Sequence, residues 1–470
     1  MFSKKIQGNP DVILRDSKDV AFTPYIWLCG TTAALASFTA GYNSAAPNTP
    51  ESIIRNCETE GDEGGFPRCI SMSSGTWGLA VGILAIGGLI GGLGAGPAAA
   101  KLGRRLTLLL NNIFFIAGAV LVATATTTVQ FIVGRVVTGV GCGAGSVVAP
   151  MYVAEVSTDG ARGVLGIMYQ LFMVLGILVA DCIGLGLSNI PGWRFLFGIA
   201  IIPPFLQVVL LPFCTETPSY LLTRNKVDEA RMALQRLRKG CVIDAEFEQL
   251  CSAAHNEGSN AGENLSIWQV VRDSHLRGLL VIAIITHAFQ QLSGINSVIY
   301  YSTSIFNGIF GVDNSQFVTV GVAGLNLIMT FVSVALIDRA GRKPLLYSSG
   351  IGMCICSVLI VVASRFEVNV LMVIAVMLFV ASFAVGLGPI PWMLVPELVP
   401  TYAVTATSST ATAVNWLCNF VIGQVFPPMK DGLQDFAFLP FAVVCLLGSG
   451  YTYFFVPETK GRRLYEGQEA

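Results

Sequence analysis

The sequence predicts an all-α polytopic membrane protein with twelve transmembrane helices in two six-helix halves, joined by a helical linker. Composition, apolar runs and an internal repeat carry this prediction. Of the 470 residues, 53% are apolar and only 12% are charged, and the mean hydropathy is +0.66. Soluble domains carry about 25% charged residues, so a soluble fold could not cover its surface with this chain. The net charge of −1 gives no indication of a nucleic-acid partner.

Apolar runs long enough to cross a bilayer, which takes about 20 residues each, alternate with charged or turn-rich segments. They predict spans at 23–46, 76–100, 106–127, 129–152, 163–188, 194–214, 277–307, 314–337, 344–364, 370–396, 402–427 and 433–456. This layout gives an N-terminal tail (1–22), a first half (23–214), a linker (215–276), a second half (277–456) and a C-terminal tail (457–470). Charges of alternating sign at helical spacing predict short amphipathic helices in the linker.

Short motifs recur in the two halves at a nearly constant separation. LGRR at 102–105 corresponds to AGRK at 340–343, and ET at 216–217 corresponds to ET at 458–459. Glu155, which ends span four, recurs as Glu397, which ends span ten. Two six-span halves related in this way are typical of transporters that rock around a central site.

The distribution of basic residues predicts the orientation in the membrane. Both termini share one side because the number of spans is even. Placing them in the cytoplasm leaves all but six of the 28 Lys and Arg on that side or at its boundary, as the positive-inside rule requires. Cys57 and Cys69 then flank an acidic loop on the outer side, where we expect a disulfide between them.

The glycine-rich segments favour helix packing over nucleotide binding. Gly88, Gly92 and Gly96 in span two are spaced four apart, which allows close approach of a second helix. No glycine run follows a strand or continues into Gly-Lys-Ser/Thr, so we predict no nucleotide site. The linker has no metal-ligand spacing and no nucleophile–base arrangement, so we predict no metal, no cofactor and no enzyme activity.

The polar residues inside the predicted spans are mostly amides rather than charges. Each carboxamide offers donors and an acceptor, so a cavity lined by several amides suits a neutral ligand with many hydroxyl groups. Trp392, Trp416 and Phe383 can cover the apolar face of a sugar ring. Hydrogen bonding between helices is the alternative role for any single amide. The amides are Asn43, Gln170, Gln290, Gln291, Asn296, Asn326, Asn415 and Asn419.

Helix breakers interrupt two spans. Span seven contains Gly294, and span ten contains Gly386, Gly388, Pro389 and Pro391. Broken helices at membrane depth are tolerated where they line a cavity, and they can serve as gating hinges. A purely structural kink is compatible with that role.

Longer motifs resemble the sugar porter family of the major facilitator superfamily. They are QQLSGIN at 290–296, YYSTSIF at 300–306, GPIPW at 388–392, PMYVAE at 150–155 and PETKGR at 457–462. LPFC at 211–214, NW at 415–416 and GYN at 41–43 make the chain most similar to the animal-type facilitative glucose transporters.

This resemblance implies a site and its gates. A neutral hexose is expected to bind at Gln170, Gln290, Gln291, Asn296, Asn326, Asn415, Trp392, Phe383 and Asn419. Tyr300 and Tyr301 are expected to form the outer gate. Inner ion-pair networks are expected among Arg104, Arg105, Glu155, Arg162, Asp338, Arg339, Arg342 and Glu397.

The sequence therefore predicts a plasma-membrane carrier that moves a small neutral hexose down its gradient by alternating access. A proton–sugar symporter is the main alternative, and a transporter-like sugar sensor is a weaker one. Proton-coupled relatives place an Asp directly after the Gly-Tyr pair of span one, where this chain has Asn43. A second family carboxylate is replaced by Ala384.

Two ionisable side chains in the spans bear on proton coupling. Asp181 follows Gln170 on nearly the same helix face, at about 100° per residue, so we expect it to face the cavity where water holds it ionised. His287 lies one turn before Gln291, and we expect a neutral imidazole hydrogen-bonded within the bundle.

Overall fold

The computed structural model describes residues 15–16, 23–55, 62–63, 65–158, 162–239, 241–259 and 267–460. In the first part of the chain, three of the long helices begin at side-chain caps. Thr23, Ser73 and Thr127 each accept a hydrogen bond from a backbone N–H three residues on, which satisfies one of the free donors of the first turn. The elements are β1 Arg15–Asp16, α1 Pro24–Ala45, α2 Glu51–Arg55, β2 Asp62–Glu63, β3 Phe66–Pro67, α3 Ser74–Leu102, α4 Arg104–Ala123, α5 Thr128–Val156, α6 Arg162–Leu187, α7 Gly192–Ile199 and α8 Ile202–Leu210.

The linker forms four short helices, as the charge pattern predicts. They are α9 Pro218–Thr223, α10 Val227–Leu237, α11 Asp244–Ser259 and α12 Ile267–Arg272, and β4 Cys241–Val242 lies parallel to β1. Arg238 is buried and joins the linker to α5, donating to the carbonyls of Val156 at 3.0 Å and Ser157 at 2.9 Å. Its guanidinium also pairs with Glu246 at 2.8 Å.

The second half contains three breaks in its helices. Gly294 (φ 91°) separates α13 from α14, the segment 386–389 separates α16 from α17, and Gly311 (φ 75°) divides α14. The range given for α14 contains two helices that meet at a kink at Gly311, so the separate spans that we predict at 277–307 and 314–337 are confirmed as 274–307 and 314–337. The elements are α13 Ser274–Leu292, α14 Ile295–Ala340, α15 Arg342–Arg365, α16 Asn369–Val385, α17 Ile390–Leu398, α18 Thr401–Leu433 and α19 Leu439–Phe455.

These helices account for the twelve predicted spans. Among the described residues, nine helical stretches are long and apolar enough to cross a membrane, and the bent pair 406–436 and 439–455 brings the number to ten. When the two members of that pair are counted separately, the number is eleven, and the less apolar α1 is the twelfth. The all-α, twelve-helix fold is therefore confirmed.

One structural corner recurs in the two halves. Gly103 (φ 93°) precedes α4, and both carboxylate oxygens of Glu216 accept the first backbone N–H groups of that helix, from Arg104 and Arg105, each at 3.1 Å. Gly341 (φ 91°) precedes α15, where Glu458 accepts from Arg342 at 2.9 Å and Lys343 at 3.1 Å. A carboxylate at a helix N-terminus satisfies free donors and complements the helix dipole.

The two ends of the bundle differ. We call the end that carries the described residues 46–55 and 65–73 the loop end, and the end that carries the described part of the linker 215–276 the linker end. At the loop end, the halves are joined by Asn48 Nδ2 donating to Ser302 Oγ at 2.8 Å and by Gln424 Nε2 donating to the carbonyl of Gly75 at 3.1 Å.

At the linker end, α3 is loosely packed around its glycines. A Cβ atom added at Gly96 would meet no atom within 4 Å, so the predicted packing role of this residue is wrong in the observed conformation. Gly88, near the middle of α3, instead lies against the ring of Trp416, 2.6 Å from where its Cβ would be. Hydrogen bonds thus join the halves at the loop end, whereas α3 has open space beside Gly94 and Gly96 at the linker end.

Candidate functional site

A central cavity lies between the two halves at mid-depth of the bundle. It encloses about 890 Å³ of space between atoms, counting its open side. All nine residues that the sequence predicts for hexose binding line it: Gln170, Gln290, Gln291, Asn296, Asn326, Phe383, Trp392, Asn415 and Asn419. Its described lining contains no Asp, Glu, Lys or Arg, so the cavity suits a neutral polar ligand.

A chain of hydrogen-bonded amides forms one wall. Gln291 Nε2 donates to Asn415 Oδ1 at 2.9 Å, and Asn415 Nδ2 donates to Gln290 Oε1 at 2.7 Å. Asn296 Nδ2 donates to Gln291 Oε1. These side chains come from α13, α14 and α18. The break at Gly294 allows the end of α13 and the start of α14 to contribute amides to the same wall.

The broken helix of span ten anchors this wall. Between α16 and α17 the helical hydrogen bonds stop, which leaves the carbonyls of Leu387 and Gly388 without partners in their own helix. Gln290 Nε2 donates to both, at 2.8 and 2.7 Å. The Gln290 amide on α13 thus satisfies the carbonyls that the helix break leaves free.

Aromatic rings border the cavity. Trp392 is 38% exposed, and the ring of His287 meets it edge-on with centroids 4.8 Å apart. Phe383 and Trp416 also line the cavity and are buried. Sequence reasoning missed Ser146 and Tyr169, which also line the cavity from α5 and α6. Tyr169 adjoins Gln170, which is the only signal that could have indicated it.

The two predicted gate tyrosines lie on α14, toward the loop end, and both are buried. Tyr300 Oη donates to Asn419 Oδ1 at 2.8 Å, and Tyr301 Oη donates to the carbonyl of Gly423 at 2.6 Å. Both bonds tie α14 to α18. The predicted hinge residues Gly386, Gly388, Pro389 and Pro391 lie in or beside the break between α16 and α17.

The predicted ion pairs form within each half rather than between the halves. Arg104 pairs with Glu155 at 2.9 Å, and Arg342 pairs with Glu397 at 3.1 Å. The side chain of Arg105 instead donates to the carbonyl of Pro212 at 3.3 Å. The structure describes the side chains of only some of the other residues that we predict for ion pairs and for the disulfide. Arg339 is exposed, the side chains of Arg162 and Asp338 lie outside the described residues, and so does Cys57.

Asp181 does not occupy the position that we expect from its helix face. It is only 2% exposed, so water does not hold it ionised, and it lines a second, smaller cavity rather than the central one. The second cavity shares Ile177, Ile299 and Asn326 with the central cavity. Asp181 therefore lies on the predicted face of α6. However, α14 and α16 pack over this turn of the helix and separate Asp181 from the central cavity.

Comparison with known proteins agrees with this geometry. The family model described as sugar (and other) transporter matches residues 29–470. Solute carrier family 2, facilitated glucose transporter member 5 from Equus caballus is 36% identical over 464 residues, which cover 96% of this chain and 92% of that protein.

Solved structures give the same result. The xylose transporter XylE from E. coli, in a partially occluded inward-open conformation, matches with a TM-score of 0.78 at 25% identity, covering 94% of this chain and all of that one. A structure of a D-xylose–proton symporter matches with a TM-score of 0.72 at 25% identity, covering 93% of this chain and 99% of that one. The chain belongs to the sugar (and other) transporter family of the major facilitator superfamily, with the solute carrier family 2 facilitated glucose transporters among its relatives.

Proposed function

We propose that this protein is a facilitative hexose transporter that moves a glucose-like monosaccharide down its gradient by alternating access. The observation that carries the proposal is the central cavity, whose described lining has no charged residue and contains seven amide side chains together with Trp392. An uncharged, hydroxyl-rich ligand matches that lining, because each hydroxyl group is both a donor and an acceptor. The relatives' names support the same substrate class.

The amide wall supplies the binding chemistry. In the observed state Gln290, Gln291 and Asn415 bond to one another, so a sugar would exchange some of these bonds for bonds to its own hydroxyl groups. Such an exchange gives little net free energy. We expect millimolar binding, about −4 kcal/mol, which suits a carrier that must release its cargo. Trp392 would cover the apolar face of the ring.

The rocking step follows from the two ends of the bundle. We assign the loop end to the cell exterior and the linker end, with both termini, to the cytoplasm of a plasma-membrane protein. The observed state, closed at the loop end, is then inward-facing. Outward opening must break Asn48–Ser302 and Gln424–Gly75 and move the tyrosine-bearing part of α14. The halves 23–214 and 277–456 would move as two bodies, joined by the linker 215–276.

The ion pairs at the linker end would take part in the opposite transition. Arg104–Glu155 and Arg342–Glu397 each lie within a half in the inward-facing state. When the linker end closes, residues of the facing half can reach these pairs and exchange partners with them. The side chains of these pairs are only 12–22% exposed, so a charge left without a partner would be costly. An exchange of partners keeps each charge compensated and need not trap either state.

Proton symport is the second candidate, because one matched structure is of a D-xylose–proton symporter. The surroundings of Arg135 argue against it. This guanidinium is buried and donates to backbone carbonyls, to Asn43 at 2.6 Å and to Ala80 and Val81 at 3.3 Å. The Asn43 side chain donates to its own helix at Thr39. We therefore propose uniport, without an enzymatic step, a nucleotide or a metal.

Uptake by proteoliposomes tests the substrate class. Radiolabelled D-glucose should enter faster than L-glucose, which has the same composition but the opposite stereochemistry. A panel of unlabelled hexoses and pentoses, competing against D-glucose, then ranks the preferred sugar. Equal entry of D- and L-glucose, at the rate of empty liposomes, would remove the proposal. Inhibition by a charged solute but by no sugar would do the same.

A further inference from the structure

Among the described residues, one buried acid has neither a role in the proposed transport cycle nor an ion-pair partner. Asp181 on α6 is 2% exposed, and its Oδ1 atom has no hydrogen-bond partner among the described residues. It is directed into the second cavity, which is lined by the polar side chains of Ser302, Thr319 and Asn326 and otherwise by apolar residues. A polar atom that is buried without a partner requires an explanation, such as a bound ion or proton.

No cation in the described residues compensates this carboxyl group. Of the helices that line the second cavity, α6 also carries Arg162, Tyr169 and Cys182, α14 carries Tyr300, Tyr301, Asp313, Asp338 and Arg339, and α16 carries no titratable group. The neighbouring α2 carries Glu51 and Arg55. Three basic residues toward the loop end are engaged elsewhere. Arg55 pairs with Glu51 at 2.6 Å, Arg135 donates to backbone carbonyls, and Lys430 donates to the carbonyl of Ser304 at 2.7 Å.

Asp181 adjoins a junction that closes the loop end. It lies near the side chain of Asn48, which belongs to the segment after α1. Asn48 in turn donates to Ser302 Oγ at 2.8 Å and accepts from the Thr303 N–H at 3.1 Å, so it joins the first half to α14 of the second. The segment lies close on α6, since a Cβ atom at Gly184 would be 2.1 Å from Thr49 Oγ1.

We propose that Asp181 is a proton-binding site that is filled when the loop end closes and emptied when it opens. The inference rests on the proposed function, because it takes the loop end to face the cell exterior. Opening separates α6 from α14 and hydrates the carboxylate, which is stable in water. Closing removes the water, and an isolated carboxylate without a cation is costly to bury. A proton removes the charge and gives the group an O–H donor.

The geometry restricts proton exchange to one side. In the observed state, Ile177, Ile299 and Asn326 separate Asp181 from the central cavity. The proton is therefore taken from and returned to the exterior, and it is not carried across. This makes Asp181 a sensor of external pH within a uniporter, and it distinguishes the proposal from proton symport.

The sign of the effect follows from linkage. One proton bound only in the closed state shifts the closed-to-open ratio by about tenfold per pH unit, at pH values where the open state is ionised. Lower external pH therefore favours the closed loop end. Because sugar enters from outside only through the open state, its apparent KM for entry rises as the open fraction falls.

The test measures the KM for D-glucose entry in cells while external pH is varied from about 5 to about 8 and internal pH is held constant. Wild type should show a KM that rises as external pH falls. Asp181→Asn, which cannot ionise, should give a high KM at every pH. Cys182→Ala changes the neighbouring, exposed residue and should follow the wild-type profile. Asp181→Glu keeps a carboxyl group, so its KM should still vary with external pH.

Each contrary result has a definite meaning. A wild-type pH profile in Asp181→Asn, or a flat profile in Asp181→Glu, overturns the proposal. Dependence on internal pH or sugar-driven proton movement overturns the one-sided exchange. Dependence on external sodium, with choline as the replacement, shows that the site takes a metal cation instead. Absence of any stereospecific uptake in wild type would contradict the transport function itself, which is a different failure.

Discussion

Gln291 Nε2 donates to Asn415 Oδ1 at 2.9 Å, which joins α13 to α18 across the wall of the central cavity. This bond holds two amides of the proposed sugar site in place when no sugar is bound. The same groups must reorient to meet the hydroxyl groups of a hexose. Substitutions at this wall are therefore expected to change affinity before they change the fold.

Replacement of Gln291 or Asn296 by Ala should weaken sugar binding by about 1–3 kcal/mol each, because sugar hydroxyl groups would be desolvated without a partner. Binding of D-glucose to the purified variants measures this directly. Asn112→Ala is the matched control, since the buried Asn112 side chain bonds only within its own helix, to Leu108 at 2.9 Å and Leu109 at 3.4 Å. Normal affinity in both cavity variants would remove these residues from the site.

The helix break of span ten gives a second prediction. A Cβ atom at Gly386 would lie 2.2 Å from the carbonyl oxygen of Leu345, so Gly386→Ala must push α16 away from α15. We expect the variant to lose thermal stability and transport together, because overpacking typically costs about 1–3 kcal/mol.

Gly450 provides the control for that substitution. It lies in α19, and a Cβ atom there would meet no atom within 4 Å. Gly450→Ala should therefore keep the wild-type melting temperature in detergent. If the two alanine variants melt at the same temperature, the close contact at Gly386 does not restrain the break.

The repeated carboxylate corners predict a dependence on pH. Although burial acts to raise it, backbone N–H groups of Arg342, Lys460 and Lys343 hold the pKa of Glu458 below its usual value. The stabilisation by its ionised form is present above the ordinary pKa of about 4.3 and is lost as pH falls through the lower folded-state value. The melting temperature of wild type should therefore exceed that of Glu458→Gln at neutral pH, and the difference should disappear in acid.

Glu216 is the counterpart in the first half and behaves differently. Its more complete burial raises the pKa of its carboxyl group, against the opposing effect of the N–H groups of Thr217, Arg105 and Arg104. The ionised form is then less favourable in the folded protein than in the unfolded chain, so Glu216→Gln should cost less stability than Glu458→Gln at neutral pH. The reverse order would contradict the assignment of these two corners.

The outer loop gives a further prediction. We expect Cys57 and Cys69 to form a disulfide, which would contribute about 2–3 kcal/mol by restricting the unfolded chain. Impermeant thiol reagents applied to intact cells should modify neither residue until a reductant is added. Ready labelling of either one in untreated cells would show that the pair is reduced.

Sequence patterns predicted much of this site because the chemistry is local. The amides of Gln290, Gln291 and Asn296 lie in one motif, and the break at Gly294 within that motif follows from the backbone freedom of glycine. The mutual bonds of Gln291 and Asn415 could not be predicted, since they depend on how α13 meets α18.

Other features required the tertiary structure. The environment of Asp181 was predicted wrongly because helix angle places a side chain on a face but does not show which helices cover that face. The repeated Glu216 and Glu458 were visible as a sequence repeat, yet their bonds to the starts of α4 and α15 depend on chain segments far apart in sequence. The same is true of Arg238, whose partners lie on α5 and α11.

The central claim is that hexose crosses without a coupled ion. The most direct measurement is the final ratio of internal to external D-glucose in proteoliposomes under an imposed pH gradient. The account predicts that the ratio stops at one and that a protonophore does not change it, even where external pH changes the rate. Accumulation above the external concentration, abolished by the protonophore, would contradict uniport and identify the protein as a proton–sugar symporter.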